Sequence, residues 1–259
     1  MQRFTLTLAV AILLILQSCS KSSFQEEVSA PAENAAASTN IATLKQSVAE
    51  SLGVTAESVV YNEAEKQFVV EEDAYVSLED AQVRFGDKGA NPPSATTQRS
   101  HFYLITPTKV NTIKIYADAT VPAAWLTALD KAIANWNATG SRVYMTRINT
   151  TTGATTKVTT TYSVSSTVAT GGYPDYYGNP GNRMVINTYK NSLADAMKVF
   201  AITHELGHII GFSHTNSATG EWIEGTPDTD SKSVMNAVCL SWTGFTTYDL
   251  KAVKTVYPK

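Results

Sequence analysis

The sequence predicts an α+β fold, a domain of short strands and separate helices preceded by a smaller helix-and-strand unit. Three observations carry this. Brief runs rich in Val, Thr, Ile and Tyr, bounded by Gly, Pro and Asn, have the alternation of strands. Between them lie stretches with apolar residues at helical spacing, the clearest around 125–136 and from Ser192 onward. Apolar residues make up 43% of the 259, enough for a packed core, which excludes a disordered chain.

At the N-terminus, Arg3 precedes an apolar stretch from Leu6 to Leu16. It is too short to cross a bilayer and suits the apolar centre of a signal peptide. The stretch ends in Leu16-Gln17-Ser18-Cys19, which resembles the bacterial lipobox, although Gln17 replaces the usual small or β-branched residue. Residues 1–18 are therefore expected to be a signal peptide and Cys19 the lipidation site. The resemblance implies a lipid-anchored protein of the bacterial cell envelope, at the outer membrane, facing the periplasm or the surface. The lipid would be its membrane attachment. Of the two cysteines, Cys239 then has no partner for an intrachain disulfide and reads as a small buried hydrophobe.

Residues 19–40 are polar and Ala-rich and read as a tether. From Ile41 the pattern changes: Ile41, Leu44, Val48 and Leu52 share one helical face, and Gly53 is a stop signal. Val59–Tyr61 and Phe68–Val70 read as two strands joined by an Asn-containing turn. Glu63, Glu65, Glu71, Glu72 and Asp73 are expected to form a solvated acidic face. Residues 86–100 look like a linker, so that 41–100 form a small N-terminal unit.

The larger domain spans 101–259. Thr112–Tyr116 alternates as a strand, and Pro122 suits the first turn of a helix whose apolar face is Trp125, Leu129, Ile133 and Trp136. Gly140 closes it. Ser141–Ile148 and Thr156–Ser163 flank Gly153 and read as a hairpin, and Met184–Thr188 as a further strand. A long helix follows from Ser192, whose spacing to Asp195 fits a capping box.

That helix carries the chemistry. Residues 204–214 read His-Glu-Leu-Gly-His-Ile-Ile-Gly-Phe-Ser-His and hold three of the four histidines. His204 and His208, four apart on a helix, project from one face and can grip one metal ion. Glu205 is turned about a quarter of the way round, where it reaches a bound water rather than the ion. Gly211 can take positive φ, letting the chain break and return His214 as a third ligand. Three neutral nitrogens leave a fourth tetrahedral position open, the pattern of a catalytic zinc. His101, the remaining histidine, is expected to be structural.

The pattern His-Glu-x-x-His-x-x-Gly-x-x-His resembles the zinc motif of the metzincin clan of endopeptidases. Ser233-Val234-Met235-Asn236 resembles that clan's methionine turn, which makes Met235 the packing residue beneath the ligands. Tyr248-Asp249-Leu250 to Val256-Tyr257-Pro258 resembles its closing helix, and Thr215 after the third histidine is matrixin-like. Over roughly 41–259 the sequence is similar to the bacterial dual-action HEIGH metallopeptidase family, with Leu206 in place of Ile. The resemblance implies a twisted mixed sheet with an active-site helix and a C-terminal helix. It also implies one catalytic Zn2+, Glu205 as general base, and Met184–Thr188 as the edge strand that aligns a peptide antiparallel. Two departures limit it. Ala237 stands where astacin-type members carry a tyrosine, so no tyrosine ligand is expected. No Cys lies between Cys19 and Cys239 to silence the metal; if 41–100 are a pro-segment, latency needs another group such as a carboxylate, and otherwise they are an accessory domain.

The expected activity is zinc-dependent hydrolysis of internal peptide bonds, with a protein or peptide as partner and the chain as a monomer. Thr215–Ser233 would shape the pocket, and calcium binding is left open. Net charge is −3, or −4 without Arg3, with no basic cluster, which excludes a nucleic-acid binder. Two alternatives compete. One is a gluzincin-like site with Glu221 or Glu224 as third ligand. The other is a non-catalytic surface lipoprotein that binds a protein or glycan on the same fold; Glu205, which a pure binder has no use for, weighs against it.

Overall fold

In the computed structural model, residues 32–86, 99–215, 221–227 and 230–259 are described, without the side chains of 32–40 and 99. The signal segment, Cys19 and most of the expected linker lie outside the described residues. The architecture is α+β, as the alternation of periods predicts. No helix among the described residues is long and apolar enough to cross a membrane.

The N-terminal unit begins with helix α1 (Ala32–Leu52), so residues 32–40 of the expected tether are helical. Leu44, Val48 and Leu52 are fully buried on its inner face, and Gly53 turns out of it at φ +70°. Strands β1 (Val59–Asn62) and β2 (Gln67–Val70) pair antiparallel with Val59 opposite Val70, the hairpin that spacing predicts. A third strand, β3 (Ala74–Ser77), continues the meander and runs into helix α2 (Leu78–Phe85). Ser77 caps α2 by accepting from Asp80 N at 3.0 Å. These elements share a small apolar core of Leu44, Val48, Leu52, Val59, Phe68, Val76, Ala81 and Phe85.

Strand β4 (Arg99–Ser100) leads into the larger domain. There follow β5 (Ile113–Ala117), α3 (Ala123–Asn137), β6 (Met145–Ile148), β7 (Thr156–Thr161), β8 (Ala169–Gly172), β9 (Arg183–Asn187), α4 (Asp195–Ile209), β10 (Phe212–Ser213), β11 (Glu221–Trp222) and α5 (Thr247–Val256). Among the described residues, eight strands form one mixed sheet in the order β1-β2-β3-β8-β9-β7-β5-β6. The N-terminal meander is thus part of the larger domain's sheet, joined where β3 runs parallel to β8.

Two expectations about strands are corrected. β6 and β7 are not a hairpin: each pairs parallel with β5, on opposite sides of it, with α3 crossing between β5 and β6. The sequence between Ile148 and Thr156 resembles a hairpin turn, but nothing local decides which strand becomes the neighbour. β9, the stretch expected to be a substrate-aligning edge, is interior, with β7 on one side and β8 on the other. Its backbone groups are taken, and β8 is the strand next to the histidine helix.

Helix α4 crosses the sheet in the deepest position, with every residue from Lys198 to Ile209 buried. The capping box expected at Ser192 is absent: the N-cap is Ala194 with no side-chain bond. Packing holds the helix in its place. Trp125, Leu129, Ile133 and Trp136 of α3 face it, and Trp136 Nε1 donates to Thr203 O at 2.9 Å, one residue before the first histidine. Each such side chain contributes roughly 1.5–3 kcal/mol on burial, so the core dominates over the missing cap, whose loss costs about 1 kcal/mol.

Candidate metal centre

Helical periodicity puts His204 and His208 on one face of α4, both buried. Each ring is tied through Nδ1, His204 to Val234 O at 2.7 Å and His208 to Phe212 O at 2.8 Å. A carbonyl oxygen only accepts, so Nδ1 carries the proton and Nε2 presents a bare lone pair. Gly211, at φ +95°, reverses the chain after the helix. A side chain there would be strained and would meet Leu104 Cδ2 at 2.9 Å. The reversal returns His214, whose Nδ1 bonds Glu71 Oε2 at 2.9 Å.

The three Nε2 atoms face one another at 3.0 Å (204–208), 3.2 Å (208–214) and 3.2 Å (204–214). Three lone pairs at that separation repel unless a cation sits among them. Zinc–nitrogen bonds of about 2.0–2.1 Å in a tetrahedron place ligand atoms about 3.3 Å apart, so the donor set fits zinc. Each imidazole is also oriented by an acceptor on its far nitrogen, as zinc-ligating histidines commonly are.

The fourth position is a correction to the sequence reading, which left it open. Asp73 Oδ2 lies 3.0 Å from His204 Nε2, 3.4 Å from His208 Nε2 and 2.7 Å from His214 Nε2. All four ligand atoms fall within 4.8 Å of one another. Asp73 and Glu71 were expected on a solvated face; both instead point into the site. A run of acids at a hairpin tip was the available signal, but only the pairing of β3 with β8 carries it to α4. Burial alone would raise the Asp73 pKa, yet the imidazoles, His204 foremost, hold it well below the usual carboxylate range. Burial likewise works against charge on His214, but Asp73 and Glu71 push it up to about 9. His208, buried among its neighbours, falls to about 4.

Glu205 is buried beside this cluster, with no hydrogen-bond partner for Oε2 among the described residues. Burial, then the charge of Asp73, raise its carboxyl well above the ordinary value. It borders a cavity of about 180 Å³ lined by apolar Val168, Ala169, Phe200 and Ala201 together with Glu71, Glu72, Asp73, Thr167, Asn236 and Cys239. Strand β8 lies hard against it. A β-carbon on Gly171 would stand 2.8 Å from Glu205 O and 3.1 Å from its Oε2.

Met235 packs beneath the helix, where a β-carbon on Gly207 would meet its Sδ at 2.3 Å. Its turn is braced from α5. Asp249 accepts from Ser233 Oγ (2.6 Å) and Val234 N (3.1 Å), and forms a capping box with Thr246. Since Val234 O holds His204, Asp249 positions that ligand through two bonds; the Thr246-x-x-Asp249 spacing was the legible signal. Glu221 and Glu224 are exposed and take no part in the cluster, which removes the gluzincin-like alternative. Cys239 is half-buried, its thiol pushed up to about 11 by burial and then by Asp73. His101 is buried, stacked on Tyr173 at 4.1 Å and tied to Tyr103, as a structural residue would be.

Residues 68–220 match the family model described as dual-action HEIGH metallo-peptidase. Two solved structures of myroilysin match parts of the chain. One is 14% identical with a TM-score of 0.43, covering 58% of this chain and 81% of that one. The other is 16% identical with a TM-score of 0.42, covering 63% and 92%. A third is high choriolytic enzyme 1, a hatching-enzyme zinc-protease of the medaka fish Oryzias latipes, at 14% identity, TM-score 0.38, and coverage of 60% and 94%. No curated protein matches the chain.

Proposed function

From the dual-action HEIGH metallopeptidase family, to which this chain belongs, we propose that this zinc metallopeptidase is an endopeptidase with Glu205 as its general base. The observation that carries the proposal is the convergence of three imidazole Nε2 atoms, each ring tied through its Nδ1, beside a buried carboxyl. His204, His208 and His214 would hold the zinc ion, which when bound would supply Lewis acidity toward a peptide carbonyl and water.

The chain's own residues do the rest. Val234 O, Phe212 O and Glu71 fix the three rings. The Glu205 carboxylate accepts a proton from the attacking water and returns it to the leaving amine nitrogen. Phe200, Val168, Ala169 and Ala201 line one part of the cavity beside Glu205, which favours an apolar side chain next to the scissile bond. A peptide taking the place of β3 along β8, next to the histidine helix, would run past the metal in both directions and be cut within its chain rather than at its end. The Leu6–Leu16 stretch and Leu16-Gln17-Ser18-Cys19 support action at the bacterial envelope, tethered through Cys19.

The test uses protein carrying Asp73→Ala, so that this carboxylate is absent from the metal face, with and without Glu205→Gln. Both are loaded with zinc and incubated with a peptide library, with and without a chelator. The parent cuts internal bonds and stops when chelated. Glu205→Gln keeps one zinc per chain and loses about 10²–10⁴-fold in rate. A Glu205→Gln protein that cleaves at the parent's rate sinks the mechanism.

A further inference from the structure

The N-terminal unit reaches the metal centre through the tip of one hairpin. β2 and β3 pair Val70 with Ala74, leaving Glu71, Glu72 and Asp73 between them. Glu71 and Glu72 have φ of +51° and +61°, a left-handed conformation that costs a residue with a β-carbon about 1–2 kcal/mol. Such tips are ordinarily filled with Asn and Gly. Here the strain is held by Glu71 N donating to Ser58 O at 2.8 Å and Asp73 N to Val70 O at 3.0 Å. Strain of this kind collects at functional sites, and its outcome is to aim Asp73 at the three histidines and Glu71 at His214.

The same hairpin covers β8. Gly171 N donates to Asp73 O at 3.0 Å and Tyr173 N to Tyr75 O at 3.1 Å, so these donors of the strand beside Glu205 are already spent. The Tyr75 and Thr170 hydroxyls add a side-chain hydrogen bond across the same seam. A peptide that adds to β8 has to displace β3.

We propose that the β2–β3 hairpin is a built-in inhibitor of the metal centre, with Asp73 as fourth metal ligand and β3 lying where a peptide would bind. This rests on the peptidase reading of the site. A structural zinc is closed by four protein ligands, whereas a catalytic one keeps a position for water. The site combines features of both: four converging ligand atoms, and a buried Glu205 beside a cavity for which a structural zinc has no use. The fourth ligand also comes from a unit whose apolar core, to which the larger domain contributes Tyr173 and the packed Phe102, is distinct from the core around α3 and α4. Withdrawal of the hairpin therefore opens the metal face without unpacking the helix that holds His204 and His208.

The experiment reads access to the metal rather than turnover. The full chain is loaded with Co2+ in wild-type, Asp73→Ala and Asp73→Asn forms, and acetohydroxamate is titrated while the visible absorption of the cobalt is followed. A position covered more than nine-tenths of the time weakens apparent affinity at least about tenfold, so both variants bind acetohydroxamate at least about tenfold more tightly than wild type. Asp73→Asn keeps the shape of the side chain and guards against a variant that fails to fold. Equal affinity in all three proteins overturns the proposal. A peptidyl hydroxamate long enough to pair along β8 gains little over acetohydroxamate in Asp73→Ala, because β3 still covers that strand; a large gain overturns the β3 half. Because β3 withdraws from β8 part of the time, Asp73→Ala cuts peptide slowly; if it binds acetohydroxamate yet cuts none even on prolonged incubation, occlusion by Asp73 stands and the peptidase reading alone fails.

Discussion

Two adjacent glycines on β8 allow the geometry of the site to be tested without touching a ligand. At Gly171, a β-carbon would lie 2.8 Å from the backbone oxygen of Glu205, 3.1 Å from its Oε2 and 3.3 Å from His208 Cβ. At Gly172 the nearest atom is Arg183 O at 3.5 Å, an ordinary contact. Neither glycine has positive φ, so neither substitution strains the backbone. Replacement by alanine reduces the freedom of the unfolded chain equally at both, a stabilisation of about 0.4–1 kcal/mol. The difference comes from packing alone. In Gly171→Ala, β8 must withdraw from α4 by about 0.6 Å to restore contact distance, while β9 and β3 hold it on both sides. Overpacking of this sort costs about 1–3 kcal/mol. Urea unfolding of the zinc-loaded proteins should therefore show Gly171→Ala destabilised by about 1–2 kcal/mol and Gly172→Ala neutral or slightly stabilised. Gly171→Ala also displaces Glu205, so hydrolysis by the Asp73→Ala form falls further than stability does. If the two alanine variants unfold at the same urea concentration, β8 does not lie against Glu205 as described, and the reasoning fails.

Two further outcomes follow from buried groups. Asp249→Ala leaves Ser233 Oγ, Val234 N and Thr246 N without the carboxylate they donate to, at a cost of about 2–4 kcal/mol. Zinc affinity, measured by chelator competition, drops about tenfold as Val234 O loses its hold on His204; Asp249→Asn should recover most of both, and a zinc affinity unchanged in Asp249→Ala would refute the relay. His101 is buried and burial lowers it to about 3, so the unfolded chain binds one more proton between that value and about 6.5. Its contribution to stability is intact above pH 6.5 and is lost as pH falls. By pH 5 the loss is about 2 kcal/mol, and His101→Phe, measured by urea unfolding at pH 7 and pH 5, should show a correspondingly flatter dependence.

Sequence legibility followed the range of the interaction. The small unit's helix and first hairpin were readable because Leu44, Val48 and Leu52, and the pairing of Val59 with Val70, are short-range patterns. No capping box forms at Ser192, because α4 is positioned by its burial against α3, which outweighs a local capping signal. The expected β6/β7 hairpin and exposed β9 edge do not form for a related reason, since strand order depends on partners far along the chain.

The eleven residues from His204 to His214 by themselves determined a place for metal. The helix repeat aligns two imidazoles, and one glycine at positive φ returns the third, all within a single local stretch. Glu205 beside them, the methionine turn and the closing helix were legible for the same reason or through resemblance. The identity of the group facing the metal was not. Asp73 lies 131 residues before His204 in sequence and 3.0 Å from it in space, a distance set by the pairing of β3 with β8. No local periodicity carries such a contact, because it comes from two separate elements sharing one sheet. Only the tertiary structure could turn an acidic hairpin tip into the fourth member of the site.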